Sequence, residues 1–175
     1  EGRERSPNVP NYRADQYFPN NCAMVHSGGV LVLSQIRNTA ENHKTRLKKT
    51  ALTAAYDASS GEELWRFDSA TFAHFVPIDL FVIDGLVWTL EEKSKAYVGL
   101  DLRSGDTLRS YPMEELIWKP RGHQLCFRNK ATNRKIVFGR TKGTEFIDIR
   151  TGETTTHGWI KGMCNIGVMP ANGML

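Results

Sequence analysis

Four residues have the chemistry to hold a metal ion: His123, Cys126, His157 and Cys164. Zinc takes imidazole nitrogen and thiolate sulfur in a tetrahedral shell, so two histidines and two cysteines would suffice. The spacing, His-x2-Cys and then His-x6-Cys, fits no standard zinc knuckle, and buried free thiols are the plainer account of the cysteines. Signatures of nucleophilic, phosphate-binding or metalloprotease chemistry are missing. The chain has no Gly-x-Ser-x-Gly elbow, no P-loop and no His-Glu-x-x-His pair.

Two basic stretches are the other chemical candidates. Arg37, Lys44, Arg46, Lys48 and Lys49, with His43 beside them, lie between two strand-like segments in a stretch longer than a tight hairpin. Such a loop can meet an anionic partner, and a solvated loop is the simpler reading. It has no interleaved aromatics on which bases would stack, which argues against single-stranded nucleic acid. The second stretch carries Arg128, Lys130, Arg134, Lys135 and Arg140, alternating in part with apolar residues. On a strand, alternation turns one set outward. Arg128, Lys130, Arg134 and Arg140 are therefore the candidate anion-binding surface.

The elements that must carry these residues show in a repeat. Tyr56-Asp57-Ala58-Ser59-Ser60-Gly61-Glu62 returns as Leu100-Asp101-Leu102-Arg103-Ser104-Gly105-Asp106 and again as Ile147-Asp148-Ile149-Arg150-Thr151-Gly152-Glu153. The three glycines are 44 and then 47 residues apart. Periods of this size indicate propeller blades or solenoid units. Each copy has the chemistry of a tight hairpin turn: Asp and Ser/Thr bond nearby backbone, and Gly takes a positive φ. A second hairpin is interleaved. Val25 to Leu33 resembles Val82 to Trp88, Lys130 to Phe138 fills the same slot with Asn133-Arg134 in the turn, and Met169 to Leu175 begins a further copy. Two hairpins per repeat make four strands, which is one propeller blade. Helical periodicity is thin; Met113 to Trp118 is long enough for one turn.

Composition agrees with a folded β domain. Of 175 residues, 40% are apolar and 24% charged, as in soluble globular proteins, and no apolar run is long enough to span a bilayer. A net charge of +4 permits an anionic partner without requiring one. The chain opens on charged Glu1, Arg3, Glu4 and Arg5, with no visible signal peptide; a signal removed earlier leaves no trace. Three cysteines are too few for a disulfide framework and allow at most one intrachain bridge. Residues 1–21, with Pro7, Pro10 and Pro19, read as an extended arm or linker, and residues 22–175 as the repeat domain.

The first repeat extends to Ala55-Tyr56-Asp57-Ala58-Ser59-Ser60-Gly61-Glu62-Glu63-Leu64-Trp65. This resembles the tryptophan-docking repeat of PQQ-like, quinoprotein-type β-propellers, Ala-x-Asp-x-x-(Ser/Thr)-Gly-x-x-x-Trp. The resemblance implies that Trp65 packs between blades against the turn of its neighbour. It weakens later, where Arg109 and Thr156 stand in place of Trp. The C-terminal third is similar to a narrower set, with Cys126 to Thr132, Gly143 to Asp148 and Trp159 to Gly173 carrying the match. Proteins of that set resemble the propeller lipoprotein of outer-membrane barrel assembly. The implied fold is all-β: four-stranded antiparallel blades, about three to four of them, in a partial or open ring.

The resemblance sets the remaining expectations. Structural turn residues are Asp57, Gly61, Trp65, Asp101, Gly105, Asp148 and Gly152. Cys126 and Cys164, one blade apart in the two most distinctive segments, form a disulfide in an exported protein or stay as two buried thiols. A quinoprotein dehydrogenase would use PQQ on calcium held by Glu and Asn, an Asp base, a floor Trp and often a vicinal Cys-Cys disulfide; no Cys-Cys pair occurs here. The expected function is a non-catalytic scaffold or ligand- and protein-binding platform within a larger protein, with no cofactor and a periplasmic or cell-envelope location. Its expected partners are other segments or chains that complete the propeller, with self-association as one route. The alternative is a fragment of a PQQ- and calcium-dependent dehydrogenase.

Overall fold

The computed structural model describes residues 22–37, 49–71, 80–91, 93–113, 129–140, 143–160, 162–163, 166–172 and 174. Those residues fold as three four-stranded antiparallel sheets, an all-β arrangement of propeller-type blades without a closed ring. The first sheet runs β1 (Cys22–Ser27), β2 (Val30–Arg37), β3 (Lys49–Asp57) and β4 (Glu63–Thr71). The second runs β5 (Phe81–Ile83), β6 (Leu86–Glu91), β7 (Ala96–Asp101) and β8 (Thr107–Pro112). The third runs β9 (Lys130–Ala131), β10 (Lys135–Arg140), β11 (Gly143–Asp148) and β12 (Thr154–His157). Within each sheet, consecutive strands pair as a meander, and the outer strand β4 of the first sheet meets the far end of the inner strand β6 of the second through one pair, Ala70 with Leu90. A further turn closes between Ala171 and Met174, with Asn172 at a φ of 50°. The N-terminal arm, the segment 114–118 read as a helical turn, and most of the basic loop after Arg37 lie outside the described residues. No helix among the described residues is long and apolar enough to cross a membrane.

The turns between the third and fourth strands of each sheet share one construction. Asp57 Oδ1 accepts the backbone N–H groups of Ser59 and Ser60 at 3.0 and 3.1 Å. Asp101 Oδ1 accepts those of Arg103 and Ser104 at 2.9 and 2.8 Å, and Asp148 Oδ1 those of Arg150 and Thr151 at 3.0 and 3.4 Å. The glycine N–H then closes onto the same aspartate's carbonyl, at a φ of 75°, 77° and 76° for Gly61, Gly105 and Gly152. Only glycine adopts that φ without steric cost. The residue after each aspartate bonds back to the other hairpin of its own sheet: Ala58 N to Gly29 O, Leu102 N to Gly85 O, and Ile149 N to Arg134 O.

The sheets stack as layers, and strand alternation divides their side chains between two cores. On β7, Ala96, Val98 and Leu100 face the first sheet and join Val30, Val32, Ala55 and Val87. Tyr97 faces the third sheet and joins Trp88, Leu90, Met113, Ile136, Phe138 and Ile147. Hence β7 is buried from Ala96 through Leu100, as a middle layer must be. Trp88 stacks with Tyr97 and Tyr111 at centroid distances of 5.7 and 6.0 Å. Gly99 leaves room for it: a Cβ there would sit 3.1 Å from the indole. The register positions filled by Leu90, Tyr97 and Met113 in the second sheet hold Ser34, Thr53 and Ser69 in the first. Those buried hydroxyls satisfy one another in a chain, Ser34 to Thr53 at 3.0 Å and Thr53 to Ser69 at 2.9 Å, so their burial leaves no polar group stranded.

The turn geometry has a pH consequence. The Ser59 hydroxyl, then the Ser60 and Ser59 amides, hold the Asp57 carboxyl down from 3.8 to about 2. Amide hydrogen bonds lower Asp101 and Asp148 as well, with Arg134 adding to the effect on Asp148. A folded-state pKa below the unfolded one adds stability that is full above the unfolded value and is lost as the pH falls through the folded value. For Asp57 that window runs from 3.8 down to about 2. Urea unfolding across this range is expected to show stability falling with pH, with a shallower slope in Asp57→Asn, which keeps an acceptor oxygen but cannot titrate. Equal slopes would contradict the assignment.

Candidate interaction surface

The contact between sheets is built from an aromatic side chain and a glycine. Trp65 on β4 lies against the Gly105 turn of the second sheet, so close that a Cβ on Gly105 would stand 2.6 Å from the indole. Its Nε1 donates to the Leu102 carbonyl at 3.0 Å. Tyr111 on β8 repeats the arrangement on the third sheet. A Cβ on Gly152 would stand 2.5 Å from the phenol ring, and the Tyr111 hydroxyl donates to the Ile149 carbonyl at 2.8 Å. Burial holds the Tyr111 phenol above its ordinary pKa, so it stays protonated and able to donate. A third tie accompanies each. Arg103 reaches the Gly28 carbonyl at 3.0 Å, and Arg150 reaches Asp84 Oδ2 at 3.3 Å, each linking its turn to the first hairpin of the preceding sheet.

Local backbone decides which residue docks. β3 and β4 slip register between Ala55 and Tyr56, and β7 and β8 slip between Gly99 and Leu100. Each slip leaves one residue of the outer strand, Leu64 or Leu108, opposite no partner, and both are exposed. Such bulges re-aim the side chains that follow. Arg109 occupies the register of Trp65 but is exposed, and Tyr111, two residues on along the same face, does the docking. Between β11 and β12 no slip occurs. Thr155, rather than Thr156, therefore shares the register of Trp65, and His157 shares that of Tyr111.

The docking pattern is open at both ends of the stack. Among the described residues nothing lies within 4 Å of a Cβ on Gly61, although its turn matches the two occupied ones. At the other end, a cavity of about 540 Å³ opens beside β12. Its walls are Thr132 and Lys135 from the first hairpin of the third sheet, Phe146, Thr155 and His157, and the turn from Pro170 to Met174. The His157 ring stands edge-on to Phe146 at 5.1 Å. Past β12 the surface is apolar: Trp159 is 91% exposed, and Met163, Ile166, Met169 and Met174 are exposed with it.

The other candidate residues are placed as follows. Arg134 Nε is bound to Asp148 Oδ2 at 2.7 Å, bracing the third turn. Lys130 is half-buried on β9. Arg140 ends β10, and its side chain, like Arg128, lies outside the described residues. Cys126 and Cys164 also lie outside them, as does His123 of the metal set, leaving His157 on the cavity wall. A fixed spacing from Gly105 points to Arg109 instead of Tyr111; an aromatic on the same strand face is the sequence signal of the docking residue.

No family model matches the chain, and no curated protein matches it. Among solved structures it is similar to BamB from Moraxella catarrhalis, with 15% identity and a TM-score of 0.42 over 77% of this chain and 46% of that one. It is also similar to the quinohemoprotein alcohol dehydrogenase ADHIIG from Pseudomonas putida HK5, with 16% identity and a TM-score of 0.48 over 75% of this chain and 19% of that one. The chain thus matches less than half the length of either protein.

Two glycine substitutions separate docking from backbone strain. Gly61→Ala and Gly105→Ala meet nearly the same φ, but only the second drives a methyl group into Trp65. Gly61→Ala is expected to cost about 1–2 kcal/mol from the left-handed backbone alone. Gly105→Ala is expected to cost about 1–3 kcal/mol more through overpacking. Equal losses in urea unfolding would mean that the Trp65 contact carries no energy.

Proposed function

We propose that this chain is a non-catalytic, propeller-type scaffold that presents docking surfaces to other protein segments within a larger assembly. The observation that carries the reading is that one docking geometry, used twice inside the chain, is left open on both terminal sheets among the described residues. Among the described residues, Trp65 spans two sheets, Trp88 is stacked with Tyr97 and Tyr111, and each turn aspartate accepts two backbone amides. A periplasmic or cell-envelope location goes with this reading; its support is the sequence resemblance, and a lipoprotein signal encoded upstream of Glu1 would test it.

The rival is a piece of a PQQ- and calcium-dependent dehydrogenase. Calcium would polarise the quinone oxygens as a Lewis acid, so binding would be visible in the quinone spectrum. PQQ titrated with Ca²⁺ into the full chain, and into any longer polypeptide that contains it, is expected to give no saturable, calcium-dependent absorbance change. Saturable binding would overturn the scaffold reading and call for assays on alcohols and sugars with an artificial electron acceptor.

A further inference from the structure

Strand alternation gathers three metal-ligating side chains on one face of β1. The strand reads Cys22-Ala23-Met24-Val25-His26-Ser27, and its exposure alternates residue by residue. Ala23 and Val25 pack against the core between the first two sheets. Successive side chains on a strand point to opposite faces, so Cys22, Met24 and His26 share the other one. All three are exposed there, Met24 at 63%, and Cys22 is a free thiol. Opposite them on β2 stand Gln35, Leu33 and Leu31, and β3 continues the three rows with Leu52, Ala54 and Tyr56. None of those six is Asp, Glu, Lys or Arg.

We propose that Cys22, Met24 and His26 form a surface site for a soft monovalent cation of the copper(I) class. The donor set selects the ion. Thiolate and thioether sulfur favour Cu(I), and imidazole accepts copper as well. Hard cations such as Ca²⁺ and Mg²⁺ need several oxygen ligands, and the three rows hold no carboxylate from β1 to β3. Zinc draws on Cys, His, Asp and Glu, which leaves it two ligands here. The spacing also fits. Residues two apart on a strand have Cα atoms about 6.8 Å from each other. Methionine is unbranched with three rotatable bonds, so the Met24 sulfur swings along the strand toward either neighbour. Cys22 and Met24 are the primary pair, and His26 brings its imidazole from the other side of Met24. Ligation is an exchange at sulfur: the Cys22 S–H bond breaks, a sulfur–metal bond forms, and the proton leaves to solvent. No electron is transferred, and the thiolate's charge cancels the cation's.

This inference goes beyond the scaffold reading and does not depend on it. The probe is silver(I), which shares the charge and softness of Cu(I) without its redox chemistry. The full chain, reduced and isotope-labelled at its methionine methyl groups, is titrated at buffered free silver. Met169, 71% exposed, serves as the reference thioether. The Met24 methyl is expected to reach half its shift at about tenfold or more lower free silver than Met169, 1.4 kcal/mol or above. Cys22→Ser is expected to erase that advantage, and His26→Ala to reduce it. Cys22 lies outside the core, so its variant should keep the native methyl resonance of buried Met113, which verifies the fold. Met24 and Met169 shifting at the same free silver, or a Met24 advantage that survives Cys22→Ser, would overturn the proposal. Either result leaves the quinone titration as it stands.

Discussion

A ring pressed onto a backbone that has no side chain is the contact on which the rest of this molecule depends. Trp65 on Gly105 and Tyr111 on Gly152 each combine three features. A positive φ puts the turn's Cα outward, the missing Cβ lets the ring reach van der Waals distance, and the ring's N–H or O–H satisfies a carbonyl that the turn itself leaves free. A single repeat cannot bury its apolar faces alone, and stacking the sheets buries them in the two cores on either side of β7.

The outer strands follow from the same constraint. β8 carries Thr, Arg and Ser and is exposed along most of its length, and β12 is three threonines and a histidine with its middle exposed, as an edge that must not pair with another edge requires. The docking side chains are the exceptions, turned inward from otherwise polar strands. The turn aspartates serve the contact indirectly. By collecting amide hydrogen bonds they fix the turn that offers its glycine and its carbonyl to the ring. The hydroxyl chain Ser34-Thr53-Ser69 shows how tolerant the stacking faces are: positions that hold Leu90, Tyr97 and Met113 one sheet later accept polar groups provided these bond one another.

Much of this was legible in the residues. The recurring Asp, Ser/Thr and Gly name a turn by its chemistry, and their period names a four-stranded unit, so the all-β class and the number of sheets came from local rules. What escaped was anything set by a one-residue slip between strands. Counting from glycine points to Arg109 and Thr156, whereas the bulges at Leu64 and Leu108 and the lack of one in the third sheet make Tyr111, Thr155 and His157 the corresponding residues. A bulge leaves no compositional mark, because Leu64 and Leu108 look like ordinary strand residues. Similarly, the charges of Arg134 and Lys130 read alike in sequence, yet Asp148 takes up the first, a pairing that only the folded hairpin creates.

The central claim is that the ring and the glycine act as one unit, and a double-mutant cycle on Trp65 and Gly105 tests it most directly. If the methyl group of Gly105→Ala is costly because it strikes the indole, removing the indole should remove that part of the cost. The account predicts that Trp65→Ala with Gly105→Ala is less stable than Trp65→Ala alone only by the left-handed backbone penalty of about 1–2 kcal/mol, which corresponds to a coupling of about 1–3 kcal/mol. Strict additivity of the two losses would contradict it, and would mean that the sheets are held together by their cores without help from the docked ring.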